Sequence, residues 1–404
     1  MVEKLSKAFL FVAGLFAMAI YSGCQEAGPG IRFADNVVCG ADRTELYVGL
    51  LKNKRVGLVA NPSSRIGNVH LLDSLVSLGI DVRRIFSPEH GFRGEGEAGE
   101  DISDKKDTRT GIEIISVYNR KDRKPTPGEL KDIDIIVFDI QDVGVRFYTY
   151  ISTLHYMMEA AAENNIGLII FDRPNPNGFY VDGPIREKGF ESFVGLHEVP
   201  VVHGMTIGEY GKMINGEGWL KNSIRCDLKV IPCLNYDHYC TYQLPVKPSP
   251  NLPNLEAVIL YPSICYFEGT LVSLGRGTDY PFQIYGHPEM RGDYTFVPRP
   301  VPGASLNPKH RGELCRGYFI GREGADKIFQ EKRINLEWLI HAYQELGIGE
   351  EFFTSYFDSL MGNDWVRKDI INGVSGKSIR TKWENDLDGF MQVRGKYLLY
   401  PDFK

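Results

Sequence analysis

Glu89 has the setting that best suits proton transfer. It follows Pro88, with Phe86 and Phe92 close by in sequence, and apolar company of that kind raises the pKa of a carboxyl so that it can hold a proton near neutrality. His90 stands beside it, placed to orient the carboxyl or to relay its proton. Two more carboxylates, Asp142 and Glu268, are candidates for a base or a nucleophile, whereas Asp139 suits the orienting of a loop. A metal-dependent reaction would instead draw on His90, Asp139, Asp142 and Asp172. It would be lost with a chelator, and the chain carries no tight ligand motif such as H-E-x-x-H.

These groups can act together only if the fold assembles them. The first half of the chain alternates short β-rich runs, at residues 56–60, 82–86, 113–117, 133–140 and 167–171, with helical patterns. Several of the runs are apolar throughout, as strands covered on both faces are. Leu71, Leu72, Leu75 and Leu78 recur at helical spacing and stop at Gly79. Ile151, Leu154, Met158 and Ala161 mark a second helix running to Asn165. Strand and helix in alternation predict an α/β fold with a Rossmann-like, doubly wound parallel sheet. In such sheets ligands bind beyond the carboxyl ends of the strands. Polar residues follow the strands there: Asn61, the stretch 87–90, the stretch 139–142, and Asp172-Arg173-Pro174-Asn175. Four such loops converging on one rim would make a site.

The run Gly94-Glu95-Gly96-Glu97-Ala98-Gly99 matches the dinucleotide pattern G-x-G-x-x-G, which works by setting a pyrophosphate on a helix N-terminus directly after the first strand. Here it follows the second strand, no apolar helical pattern comes next, and Glu95, Glu97, Glu100 and Asp101 would repel a phosphate. A loop near the rim is expected, and no cofactor.

From about Met205 the pattern is less regular. Thr206-Ile207-Gly208-Glu209 is a capping box opening a helix toward Trp219, with His203-Gly204 in the loop that feeds it. Pro248, Pro250 and Pro253 make residues 247–253 a rigid crossover, since proline belongs in neither a central strand nor a helix interior. Residues 257–260 read as a strand. Arg276, between Gly275 and Gly277, has room to present its guanidinium to a carboxylate; a turn with a surface arginine is the plainer reading.

With 46 Lys and Arg against 52 Asp and Glu, a net charge of -6 and no basic run, a nucleic-acid partner is excluded. A chain of 404 residues, 43% hydrophobic, is large enough for an extensive core and for two domains. Residues 1–23 read as a signal peptide: Lys4 and Lys7 precede an apolar run at 8–20 that is too short for a stable anchor. Ser22-Gly23 before Cys24 is similar to a lipoprotein processing site, with Tyr21 where an aliphatic residue is usual. The chain is therefore expected to be exported to a periplasm, touching a membrane only through an acyl group on Cys24. Cleavage after Ala17-Met18-Ala19 is the alternative. Six cysteines remain. Cys226, Cys233 and Cys240 are spaced too widely for a zinc pair, with only His238 near, so buried thiols or one local disulfide are expected.

Several blocks closely resemble the exo-β-N-acetylmuramidases of the NamZ type: residues 60–64, Ser87-Pro88-Glu89-His90-Gly91-Phe92-Arg93-Gly94, residues 138–150, Asp172-Arg173-Pro174-Asn175-Pro176 and Phe267-Glu268-Gly269-Thr270. The resemblance covers nearly the whole mature chain; residues 177–180 depart from it, being less rich in glycine. It implies a linker at 24–42, a Rossmann-like catalytic domain at 43–204 and a smaller α+β auxiliary domain at 205–404, with the cleft between them. The implied activity removes β-linked N-acetylmuramic acid from the non-reducing ends of peptidoglycan fragments. Glu89 would then protonate the leaving oxygen. Asp142 or Glu268 would be the second group, unless the 2-acetamido group of the substrate attacks its own anomeric carbon. Arg93, Arg146 or Arg276 would pair with the lactyl carboxylate that distinguishes muramic acid from glucosamine. Tyr148 and Tyr150 would stack on a sugar ring, core packing being the plainer role for Tyr150, and Asn61, Asp172 and Arg173 would add substrate contacts. His155 and His287 read as structural. The alternative from another class is a non-catalytic receptor for muropeptides or sugars.

Overall fold

The computed structural model describes residues 32–88, 91–93, 105–118 and 120–403. Glu89, His90, the glycine-rich run at 94–99 and the signal segment with Cys24 lie outside these residues.

Six strands form the parallel part of the main sheet: β1 (Arg55–Ala60), β4 (Asp81–Ser87), β6 (Glu113–Ser116), β7 (Ile135–Asp139), β8 (Gly167–Phe171) and β9 (Leu228–Ile231). The short β5 (Lys105–Lys106) adds an antiparallel edge beyond β6, and β2 (Arg65–Ile66) with β3 (Val69–His70) makes a small hairpin after β1. The spatial order is β5-β6-β4-β1-β7-β8-β9. Counting the parallel strands alone, that is the order 3-2-1-4-5-6 of doubly wound nucleotide-binding folds, whose direction of winding reverses between the first and fourth strands. The crevice of this sheet therefore opens past Ala60 and Asp139.

Alternate residues of each central strand enter opposite cores. Val59, Ile136, Phe138, Leu168 and Ile170 face helices α4 (Tyr150–Glu163) and α5 (Ile207–Glu217). Val56, Leu58, Val137, Ile169 and Phe171 face α1 (Thr44–Leu51) and α2 (Leu71–Ser77). Burial on both faces explains why these strands are apolar throughout. The short α3 (Pro127–Leu130) precedes β7. Helix α5 starts at the expected capping box, with Thr206 and Glu209 bonded reciprocally, and stops at Gly218 in the left-handed conformation. The sheet layer continues past residue 204, since α5 leads into β9.

Residues 257–260 are not a strand. They lie within α6 (Leu255–Ile264), opened by the Asn254 side chain accepting from the Ala257 N–H. A short apolar run is the same in a buried helix as in a buried strand; the asparagine cap is the feature that separates them. Beyond α6, β10 (Ile284–His287), β11 (Tyr294–Phe296) and β12 (Cys315–Phe319) form a three-stranded antiparallel sheet with β12 in the centre. Five helices, α7 (Gly321–Glu331), α8 (Glu337–Leu346), α9 (Tyr356–Met361), α10 (Trp365–Ile371) and α11 (Gly376–Gly395), complete this smaller part. The tail returns to the main sheet, where the Tyr400 hydroxyl donates to Asp172 Oδ2 at 2.5 Å and Arg394 donates to the Gly204 carbonyl.

Candidate active site

The loops after β1, β7 and β8 do converge, and they close on one another. The Asn61 amide donates to the Tyr150 hydroxyl at 2.9 Å, and its carbonyl oxygen accepts from the Ser63 N–H and hydroxyl. The Ser64 hydroxyl donates to the Asp139 carbonyl. Arg173 pairs with Asp139 at 2.5 and 2.8 Å, both side chains buried, and Gln141 donates to the Pro174 carbonyl. Asp172 accepts from the hydroxyls of Thr206 and Tyr400 and from the Gly208 N–H, at the head of α5. Burial pushes its carboxyl up to about 6, with nearby Glu209 adding to the rise. Asn61, Asp172 and Arg173 thus pin the rim rather than face solvent.

Two of the three arginines considered for the lactyl carboxylate are likewise engaged. Arg93 is held between Asp73 and Asp107, with contacts from 2.6 to 3.2 Å. Arg146 is fully buried and donates to four backbone carbonyls, those of Pro184, Val199, Leu360 and Met361. It is a cross-link between the two parts of the chain.

The open space lies beside this pinned rim. A cavity of about 190 Å³ is bounded on one side by Tyr118 and residues 147–150, where the β7 loop enters α4. Ser249, Asn251, Tyr261, Glu268, Arg276, Phe282 and Tyr356 bound it on the other. Its wall is a chain of rings: Tyr150 to Tyr148 at 4.9 Å, Tyr148 to Tyr261 at 5.8 Å, and Tyr261 to Phe282 at 5.1 Å between centroids. Phe282 has a φ of 60°, a left-handed conformation that costs a bulky residue about 1–2 kcal/mol. The bond from its N–H to the Leu274 carbonyl helps to hold it there. The Tyr148 hydroxyl donates to the Pro248 carbonyl, tying the rim to the proline-rich crossover.

Glu268 and Arg276 are the charged pair of this cavity, with Arg276 Nε donating to Glu268 Oε1 at 2.5 Å. The guanidinium lies 5.1 Å from the Phe282 ring centre. Burial works against its charge, and the Glu268 carboxylate more than restores it, holding the guanidinium above its ordinary value. Only Nε is used in that bond, so the two terminal amino groups have no partner among the described residues and form a fork suited to a carboxylate. Lys309 donates to the carbonyls of Phe267, Glu268 and Thr270, which fixes the turn carrying Glu268.

Asp142 is buried on the loop between β7 and α4 and does not line the cavity. Its Oδ1 accepts from the Gly144 N–H at 2.7 Å, and its Oδ2 has no hydrogen bond among the described residues. Burial pushes this carboxyl up to about 7. Gly144 has a φ of 75°, and a Cβ there would fall 2.2 Å from the Asn175 amide, so only glycine lets the β7 and β8 loops pack this closely.

Of the residues expected from the sequence, Tyr148, Tyr150, Glu268 and Arg276 line the cavity. Sequence reasoning missed Tyr118, Ser249, Asn251, Tyr261 and Phe282. The usable signal was Asn251, a polar residue held between Pro250 and Pro253. Among the described residues, no group of three His, Cys, Asp or Glu is placed to hold a metal ion, and Cys39, Cys226, Cys233, Cys265 and Cys315 are free and buried.

A doubly wound sheet joined to a smaller α+β part, with an aromatic cavity at the junction holding a carboxylate–guanidinium pair, defines an α/β protein built to bind a polar ring compound. The chain belongs to the NamZ exo-β-N-acetylmuramidase family: residues 56–256 match its N-terminal domain and residues 259–400 its C-terminal domain. It is 40% identical over 375 residues to the peptidoglycan β-N-acetylmuramidase NamZ of Bacillus subtilis (strain 168), covering 88% of this chain and 89% of that one. Two crystal structures of DUF1343 family proteins from Bacteroides fragilis NCTC 9343 are similar. One has a TM-score of 0.85 at 48% identity, covering 91% of this chain and all of that one; the other has 0.77 at 28%, covering 90% and 99%.

Proposed function

We propose that this protein is an exo-acting glycoside hydrolase that removes β-linked N-acetylmuramic acid from the non-reducing end of peptidoglycan fragments. The single observation that carries the reading, beside the family itself, is the junction cavity, which sets an aromatic wall next to an arginine with an open fork. Sugar rings stack on such walls, and the fork fits the lactyl carboxylate, the group by which muramic acid differs from glucosamine. The alternative of a non-catalytic receptor has no support among the relatives.

Glu89 is assigned as the general acid, with His90 orienting it. Glu268 and Asp142 are the candidates for the second group. Of these, Glu268 borders the cavity and suits the stabilisation of an oxocarbenium-like centre, whereas Asp142, raised by burial, suits proton exchange. Replacing Glu89 by Gln tests the assignment with a chromogenic β-muramide: turnover should fall by about 10²–10⁴-fold with an unchanged melting temperature. Near-normal turnover in the folded variant would remove the proposed acid.

Export, and anchorage through an acylated Cys24, follow from the leader pattern. Cell fractionation should find the protein with membranes, and Cys24→Ser should release it to the soluble fraction; equal partition of both forms would remove the anchor.

A further inference from the structure

The segment ahead of α1 is laid along the chain that leaves β9. Phe33 bridges Thr241, and Val38 and Leu234 form an antiparallel bridge in which each N–H donates to the other's carbonyl, at 3.0 and 2.8 Å. The next residues in that register are Cys39 and Cys233. A pair adjacent to a doubly bonded one is the close, non-hydrogen-bonded kind, with Cα atoms about 4.5 Å apart and both side chains on one face. That separation falls within the range of about 4.4–6.8 Å that a disulfide spans. The two thiols are close enough to perturb one another, with Cys39 Sγ 3.8 Å from the Tyr242 hydroxyl and Cys233 Sγ donating to the Asp172 carbonyl at 3.2 Å. Both cysteines are free, with exposures of 4% and 6%.

We infer that Cys39 and Cys233 are an oxidation site that closes to a disulfide, fastening the N-terminal segment to the end of β9 beside the Asp172–Arg173 turn. In the finished fold the neighbouring Cys233 thiol and the Arg173 guanidinium hold the Cys39 thiol below its usual value against the effect of burial. The oxidant is a small-molecule or protein disulfide. The Cys39 thiolate attacks one of its sulfurs and expels a thiolate; the Cys233 thiolate then attacks the Cys39 sulfur of the mixed disulfide and expels the second. Two electrons pass to the oxidant, and the two protons end on its two thiols. Because both sulfurs are buried in the finished fold, the exchange occurs while the chain folds. The inference does not depend on the hydrolase reading.

The test refolds the full chain from denaturant with oxidised and reduced glutathione, alkylates the remaining thiols, and maps peptides without reduction. Chymotrypsin serves because Tyr236 and Tyr239 separate Cys233 from Cys240. The expected result is a peptide pair joined through Cys39 and Cys233, and a melting temperature roughly 5 °C above that of the reduced protein. The shift should vanish in Cys39→Ser and in Cys233→Ser. Alkylated Cys39 and Cys233 in folded wild-type protein, or either cysteine joined to a different partner, would overturn the inference.

Discussion

Asp142→Asn should make the protein more stable at pH 8 while weakening its catalysis, an unusual pairing that follows from where the carboxyl sits. Burial places this group at about 7 against an ordinary 3.8. A carboxyl raised on folding binds its proton more tightly in the native state, so the penalty is absent below about pH 4. It grows between pH 4 and 7 and is complete above 7. At about 1.4 kcal/mol per pH interval, the ionised form costs folding about 4 kcal/mol at pH 8. Asparagine keeps an oxygen for the Gly144 N–H and carries no charge. Its amide nitrogen takes the place of the unpaired Oδ2, at a cost of about 1–3 kcal/mol in either pH range. The variant should therefore gain about 1–3 kcal/mol at pH 8 and lose a similar amount at pH 4. Urea unfolding of both proteins across pH 4–8 measures this. A stability difference between variant and wild type that stays flat with pH would mean that Asp142 ionises as an exposed aspartate does, and would end its candidacy for proton exchange.

Two further substitutions separate the arginines that the sequence presents alike. Arg276→Met should raise KM for a β-muramide by about 10–100-fold, the equivalent of losing a charged hydrogen bond worth about 1.5–3 kcal/mol, and leave a β-glucosaminide of the same leaving group unaffected; equal losses on both would refute the lactyl contact. Arg146→Met strands four buried carbonyls and should cost more than about 3 kcal/mol, lowering the melting temperature while the folded fraction keeps its KM. A stable Arg146 variant with a raised KM would place that residue in the site instead.

Five of the six parallel strands were legible as β-rich runs, β1, β7 and β8 most plainly because they are apolar on both faces, whereas β9, only four residues long with an exposed Lys229, was not. The C-terminal part was less legible. Residues 257–260 carry no period that separates helix from strand, and the return of Tyr400 to Asp172 is a contact between residues far apart in sequence. The site was legible in its residue types and not in their partners. Arg93, Arg146 and Arg173 sit in distinctive blocks, yet Asp73 with Asp107, four carbonyls, and Asp139 respectively take up their donors, while Arg276, outside those blocks, is the arginine that lines the cavity.

That division of labour has a physical logic. A cavity that recognises a sugar by ring stacking and one carboxylate contact gains specificity only if its wall does not yield. The wall is joined to the crossover by Tyr148 and to the β1 loop by Tyr150 and Asn61, and the Asp139–Arg173 pair holds the β7 and β8 loops in register beneath it. Polar residues at the strand ends are therefore needed in two capacities, and charge alone does not tell them apart. What does is whether the charged head group is enclosed or reaches the cavity. Arg276 stands between two glycines with φ of 84° and 82°, on a turn fixed by Thr278 bonding back to the Gly275 carbonyl and by Arg299 bonding to the Gly277 carbonyl, and its side chain stays partly exposed at the cavity beside Glu268, whereas Arg146 enters from a loop enclosed on every side.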